Sequence, residues 1–243
     1  MTTYFVSDLH LTPDRPEIGA AFTQFLFTSA PHADAIYVLG DLFEYWIGDD
    51  AAGLLGADPI LEAMQQTAAQ TPCYFIAGNR DFLVRDGFSQ QSGFKVLEDH
   101  SVIDLYGQAT LLLHGDSLCT DDHAHQAFRH DMVTNTAWCT GFLSQPIETR
   151  IEMAKAARKE SRAHKQSISM SIMDVNEQAV LDAFATHDVD LMIHGHTHRQ
   201  NTHTYTDKQD KPLTRIVLGD WDQTNSVLKI SADGRQFENT PLA

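Results

Sequence analysis

The chain has 243 residues, 42% of them apolar, with 17 Lys+Arg against 33 Asp+Glu, a formal charge of −16. That length suits one domain with an ample core, and the charge disfavours general binding to nucleic acid or to an anionic membrane. Gly and Pro are too sparse for disorder or a collagen-like repeat, and three cysteines (Cys73, Cys119, Cys139) at no metal-type spacing argue against a disulfide framework.

The first six residues run from Met1 into Tyr4-Phe5-Val6 with no basic region or cleavage site, so no signal peptide is expected. No apolar run approaches the roughly 18 residues of a membrane span, so a soluble, cytoplasmic chain is expected. Short runs rich in β-branched and aromatic residues predict strands at 4–6, 36–39, 73–77, 110–113, 191–193 and 216–218. Helical patterns lie between them at 18–27, 60–69 and 177–184, and this alternation predicts an α/β layered domain. From 121 to 171 strand signals stop, and the segment reads as helix broken near Pro146. The expectation is one domain over 1–243 with a helical insertion at about 121–171.

Cations concentrate in that insertion. Residues 150–165 hold six of the 17 Lys+Arg, opposed only by Glu152 and Glu160. At helical spacing Lys155, Arg158, Arg162 and Lys165 form one stripe, which reads either as a solvated face or as a patch for an anionic ligand or membrane. Phe142, Ile147, Ile151 and Ala154 read either as the lining of an apolar pocket or as plain packing.

The chemistry sits where the strands end. Ser7-Asp8-Leu9-His10 follows the first, Gly40-Asp41 the second, Gly78-Asn79-Arg80-Asp81 the third, His114-Gly115-Asp116 the fourth and His194-Gly195-His196-Thr197-His198 the fifth. Alone, each is a turn or a cap. Together they place ligand-type residues at five successive strand ends, and in an open α/β sheet those ends converge on one ligand-binding edge. The set of Asp8, His10, Asp41, Asn79, His114, His196 and His198 mixes N and O donors, which suits Mn²⁺, Zn²⁺ or Fe²⁺ better than Mg²⁺ or Ca²⁺. Seven donors exceed one tetrahedral site and fit two metals about 3.5–4 Å apart.

Asp8-Leu9-His10, Gly40-Asp41, Gly78-Asn79-Arg80-Asp81, His114 and Gly195-His196-Thr197-His198 resemble the calcineurin-like metallophosphoesterase pattern, across residues 8–198. The resemblance implies a four-layer α/β/β/α sandwich with a helical lid insertion. It also implies a dinuclear centre with a bridging hydroxide, Mn²⁺ being the metal expected. Asp8, His10, Asp41 and His198 would hold one ion and Asp41, Asn79, His114 and His196 the other, with Asp41 bridging. Most of that superfamily has histidine after Gly-Asn; here Arg80 stands there. An arginine donates no proton at neutral pH but holds phosphate oxygens in a fork.

Arg80, with residues 41–50, 118–122 and 172–176, is similar to one branch of the family, the pyrophosphatases of UDP-2,3-diacylglucosamine in lipid A biosynthesis. Carried over by position, Asp41, Asn79, Arg80 and His114 would be catalytic. Asn79, Arg80, Asp122, Arg158, Ser161, Lys165 and His196 would contact substrate. The match departs from the branch at Lys165, where its lid has asparagine, at Ile168, where it has lysine, and at His125, where a tyrosine is expected. The resemblance further implies a lipid-linked nucleotide sugar as substrate, a monomer, no nucleic-acid partner and a peripheral place on the cytoplasmic face of the inner membrane. Of the remaining histidines, His123, His125, His130, His164 and His203 read as surface or structural, and His194 as lying behind the site.

Overall fold

The computed structural model describes residues 1–167 and 174–242, without the side chains of residues 160 and 162–167. Three parallel strands open it: β1 (Thr2–Val6), β2 (Ala35–Leu39) and β3 (Cys73–Ile76). They read as nearly continuous apolar runs because both their faces are covered. The connections carry α1 (Pro16–Ser29), α2 (Asp58–Ala68) and α3 (Asp86–Ser92). The first two have proline in the first helical turn, where no N–H is missed. With β4 (Lys95–Leu97), β10 (Val227–Ser231) and β11 (Gly234–Glu238) these strands form a six-stranded sheet in the order β11-β10-β1-β2-β3-β4.

A second sheet of β5 (Ser101–Leu105), β6 (Gln108–Leu112), β7 (Leu191–His194), β8 (Asn201–Thr206) and β9 (Pro212–Val217) has the order β5-β6-β7-β9-β8. The two sheets face each other through Phe5, Tyr37, Leu39 and Ile76 on one side and Leu112, Leu191, Ile193 and Ile216 on the other. Phe5 stacks on Tyr37 at 5.1 Å and Tyr37 on Tyr74 at 4.7 Å within this seam. Alternation sends Tyr4, Val6, Ile36 and Val38 to the opposite face, onto Phe22 and Leu26 of α1, Met64 of α2 and Phe88 of α3. Leu111, Leu113 and Met192 likewise bury Val180 and Phe184 of α7 (Glu177–His187). The result is a four-layer α/β/β/α sandwich. Truncating a ring of the seam such as Phe5 to alanine costs about 3–5 kcal/mol.

The two sheets are those of the four-layer sandwich that the resemblance implied. β1, β2 and β3 belong to one and β6 and β7 to the other. Their C-terminal edges meet, so the convergence holds across the seam instead of along one edge. Strands β4, β5, β8, β10 and β11 were not expected; β5 and β8 alternate polar and half-buried positions without a long apolar run.

Between β6 and α7 the chain forms α4 (His123–Phe128), α5 (Thr136–Leu143) and α6 (Ile147–Ser167), the break between the last two falling at Pro146. Asp122 caps α4 and Asn135 caps α5, each side chain accepting the third backbone N–H of its helix. Asn176 caps α7 and also donates to Asp121 at 3.1 Å, tying the two ends of this segment together. Phe142 is buried, and Ile147, Ile151 and Ala154 pack against the core around Trp46 and Ile47, as plain packing predicts. Among the described residues no helix is long and apolar enough to cross a membrane.

Candidate metal centre

Each ligand-type residue follows the end of a central strand on a backbone that turns sharply. Nine non-glycine residues among those described have positive φ, and five of them are Asp8, His10, Asp41, His196 and His198, at +50° to +66°. Such a conformation costs roughly 1–3 kcal/mol per residue and persists only where its surroundings impose it. Here backbone bonds impose it: Asp8 N–H to Gly40 O at 3.1 Å, His10 N–H to Asp41 O at 3.0 Å and Trp221 N–H to Asp8 O at 3.2 Å. Two glycines allow the close approach. A Cβ on Gly78 would strike Asp41, and one on Gly195 would strike Ser7 and Asp8.

The seven residues meet in two overlapping groups. His198 Nε2 lies 3.4 Å from Asp8 Oδ1 and 3.3 Å from His10 Nε2. Asn79 Oδ1 lies 3.1 Å from His114 Nε2 and 3.0 Å from His196 Nδ1. Asp41 faces both groups, one oxygen 3.9 Å from His10 Nδ1 and the other 3.6 Å from His114 Nε2. Asp8, His10 and His198 form one cluster compact enough for an ion, and Asp8, Asp41 and His114 another. Outer partners fix the rings. His114 donates from Nδ1 to Leu39 O at 2.8 Å, and His198 Nδ1 sits 3.1 Å from Asp220 Oδ2, so each turns Nε2 inward.

The donor set fits divalent ions. Asp8 Oδ1 and His10 Nδ1 are buried without a hydrogen-bond partner, at an uncompensated cost of about 1–3 kcal/mol per group that coordination removes. Burial alone would raise Asp8, yet His198, His114 and His10 hold it well below the usual carboxylate range. Burial also raises Asp41, opposed by His114 and Arg80. In turn, and against burial, the two carboxylates push His114 up to about 9, while Asp8 and Asp220 push His198 up to about 10. Burial first, then Arg80 and His114 respectively, hold His10 and His196 well below the usual imidazole range, which keeps them neutral donors, while the carboxylates draw positive charge that divalent ions would supply.

Arg80 lies against this cluster. Its backbone N–H donates to Asp41 Oδ1 at 2.9 Å and its Nε lies 3.3 Å from Asp41 Oδ2. Its Nη1 donates to Glu44 at 2.6 Å, and Arg158 of α6 reaches the same carboxylate at 2.7 Å. The cationic stripe of α6 is therefore not uniform: Arg158 turns to the body, whereas Lys155 is exposed and pairs with Glu152 at 3.1 Å. Ser161 is half-buried one turn beyond Arg158. Asp122 is engaged as the cap of α4. The side chains of Arg162, His164 and Lys165 lie outside the described residues, as do Ile168 and positions 172–173 of the lid motif.

Three residues near the centre were given no role in the sequence reading. Asp81 accepts the backbone N–H groups of Leu42 and Gly78, both at 2.7 Å, pinning the two ligand loops. His125, read as surface or structural, packs at a tilt of 35° on His196 with ring centroids 5.1 Å apart, and its Nε2 lies 3.5 Å from Asp116. Glu44 joins two arginines. Asp81 and Glu44 stood within quoted motifs, so proximity to those motifs was the available signal; His125 was marked only as the position where the branch is expected to have tyrosine. His194 lies behind the site, fully buried against Arg215, and burial lowers it to about 3.

Known proteins resemble this chain. Residues 1–200 match the calcineurin-like phosphoesterase family. The whole chain is 46% identical over 250 residues to a UDP-2,3-diacylglucosamine hydrolase of Xanthomonas campestris pv. campestris, and 47% identical over 244 residues to one of Serratia proteamaculans, with 100% of each chain covered. A solved archaeal phosphodiesterase covers both chains at 12% identity with a TM-score of 0.49. Family, full-length relatives and ligand geometry agree: this chain belongs to the calcineurin-like phosphoesterases and is a metal-dependent hydrolase.

Proposed function

We propose that the chain hydrolyses the pyrophosphate bond of UDP-2,3-diacylglucosamine to UMP and 2,3-diacylglucosamine 1-phosphate, a step of lipid A biosynthesis. The observation that carries this reading is Arg80, its Nε 3.3 Å from the Asp41 carboxylate that faces both ligand groups. Asp8, His10, Asp41 and His198 would hold one divalent ion and Asp41, Asn79, His114 and His196 a second, Mn²⁺ being the expected metal. When bound, such ions polarise water for attack and draw charge from phosphoryl oxygens.

The protein's own groups do the rest. Asp41 orients Arg80 through its backbone N–H and its Nε, aiming the guanidinium beside the ligands where phosphoryl charge grows. An arginine gives no proton. A phosphate leaving group needs none, being a weak base already, so arginine suits a pyrophosphate bond where a poorer leaving group would call for histidine. Asn79 and His196 present donors and acceptors at the same mouth.

A lipid-bearing substrate finds an apolar wall here. From His196 a run of half-buried rings leads under the lid: His125, Phe128, Phe82 and Trp138, each 5.1–6.1 Å from the next. Exposed Lys155 and Lys159 on α6 face solvent, which supports a peripheral seat of the monomer on an anionic membrane, the cytoplasmic leaflet of the inner membrane on this reading. The test is UMP release from UDP-2,3-diacylglucosamine by purified protein with Mn²⁺ and with chelator. Release that stops on chelation is expected; none from the Mn²⁺-loaded protein overturns the substrate.

A further inference from the structure

Glu44 stands between a cation of the body and a cation of the lid. Its backbone N–H is fixed on Leu11 O at 3.0 Å, beside the parallel bridge of Leu11 with Phe43, so the side chain leaves from a rigid point. One oxygen accepts Arg80 Nη1 at 2.6 Å. The other accepts Arg158 Nη2 at 2.7 Å and Nε at 3.1 Å. Arg80 is held on a second nitrogen by Asp41, 3.3 Å from its Nε, so two carboxylates grip it and neither contact uses Nη2.

We propose that Glu44 is a positioning residue that acts through Arg80. It sets the free Nη2 edge of that guanidinium toward the reacting phosphoryl group and locks Arg158, and with it α6, at the same place. The inference deepens the proposed function and rests on it for the substrate. A guanidinium held by two charged bonds keeps one orientation. Without Glu44 only the Asp41 contact holds that guanidinium, and Arg80 and Arg158 repel each other with one carboxylate fewer between them. An amide cannot substitute, because its NH₂ would face a guanidinium.

The experiment is a double-mutant cycle on the Mn²⁺-loaded protein, run on bis(p-nitrophenyl) phosphate and on UDP-2,3-diacylglucosamine, with Tm and bound metal recorded. Glu44→Gln is expected to lower kcat about 10- to 100-fold, with the loss in kcat and not in KM, and with Tm and metal content unchanged. In an Arg80→Ala background the same change is expected to lower kcat by less than about threefold, because the group it positions is gone. Equal losses in both backgrounds, a loss confined to KM, or an Arg80→Ala enzyme as active as wild type overturns the proposal. If Glu44→Gln lowers Tm or metal content, the cycle is read with Glu44→Asp, which keeps the charge but is one methylene short of spanning both arginines. Failure of the wild type on the lipid nucleotide alone rejects the substrate, while the cycle on the diester still decides the role of Glu44.

Discussion

The carboxylate of Asp81 lies buried beneath that of Asp41 and accepts its backbone N–H at 3.3 Å, together with those of Leu42 and Gly78 at 2.7 Å. A residue that touches neither lid nor solvent thereby holds the loops after β2 and β3 in register. Burial first, then the Asp41 charge, push Asp81 up to about 7. Asp81→Asn offers an NH₂ to groups that are already donors. Expected is a loss of about 1–3 kcal/mol in stability and a ten- to hundredfold loss of metal affinity. Thermal unfolding and calorimetric Mn²⁺ titration measure the two; unchanged affinity would show that the loops hold themselves.

Arg80 is expected to be irreplaceable by either of its nearest substitutes. Arg80→Lys keeps the charge but loses the fork, and Arg80→His restores a proton donor that a phosphate leaving group does not need. Both should lower kcat for UMP release by roughly 10²-fold. A gain with histidine would sink the account of the leaving group.

The lid is anchored by a buried cation. Arg150 donates to Ile47 O at 2.6 Å and bidentately to Asp50, over a Gly48 whose Cβ would collide with it. Arg150→Met leaves the Ile47 carbonyl unpaired and is expected to lower stability by about 1–3 kcal/mol, read as Tm. The Arg150 hydrogen bonds hold the Asp50 carboxyl below the usual aspartate value of 3.8. A depressed acid stabilises the fold above its unfolded pKa and loses that contribution as pH falls through its folded pKa. The anchor should therefore weaken below about pH 4, modestly, because Asp50 is largely exposed. An acid limb of unchanged midpoint in Asp50→Asn would contradict this.

At the alkaline end the sign reverses. Burial pushes Cys73 and Cys119 up from 9.0 to about 12 and Tyr37 up from 10.0 to about 12. A raised pKa stabilises the fold below its unfolded value, and the contribution is lost as pH climbs through the folded one, here between about pH 9 and 12. Native protein at pH 8 should leave both thiols unlabelled by a disulfide reagent, and denaturant midpoints should fall across that window. Rapid labelling of Cys73 or Cys119 in the native state would refute the burial argument.

Charge reversal of Lys155 and Lys159, both exposed on α6, should weaken association with anionic vesicles by about 1 kcal/mol per residue, and lower salt should strengthen it. Flotation of vesicles with and without phosphatidylglycerol reads this directly. Salt-independent binding would reject the electrostatic part.

How legible this molecule is in its sequence depends on range. Four of the five ligand loops carry a local signature, an apolar run and then Gly with Asp, Asn or His, and the first carries Asp-Leu-His after its strand, so Asp8, Asp41 and His198 stand out without any knowledge of the fold. The partition into two sheets does not, because β3 and β6 look alike as strings and differ only in their neighbours. By spacing alone Arg158 is one member of a stripe that reads either as solvated or as a ligand patch; what sets its orientation is Glu44, 114 residues away. His125 shows the same limit, its place set by a ring contact with His196. Edge strands such as β8 vanish for another reason: Asn-Thr-His-Thr-Tyr-Thr has one face on water and no apolar face long enough to register.

The left-handed backbone at Asp8, His10, Asp41, His196 and His198 also bears on how this chain responds to selection. Glycine or asparagine takes that conformation with less strain, so at these five sites the substitutions that ease the fold are those that empty the centre. A library of variants screened for heat resistance alone, in the absence of metal, should drift toward Gly and Asn there. One screened for turnover should hold all five, and the gap between the two outcomes would measure how much conformational tension the chain keeps in service of its chemistry.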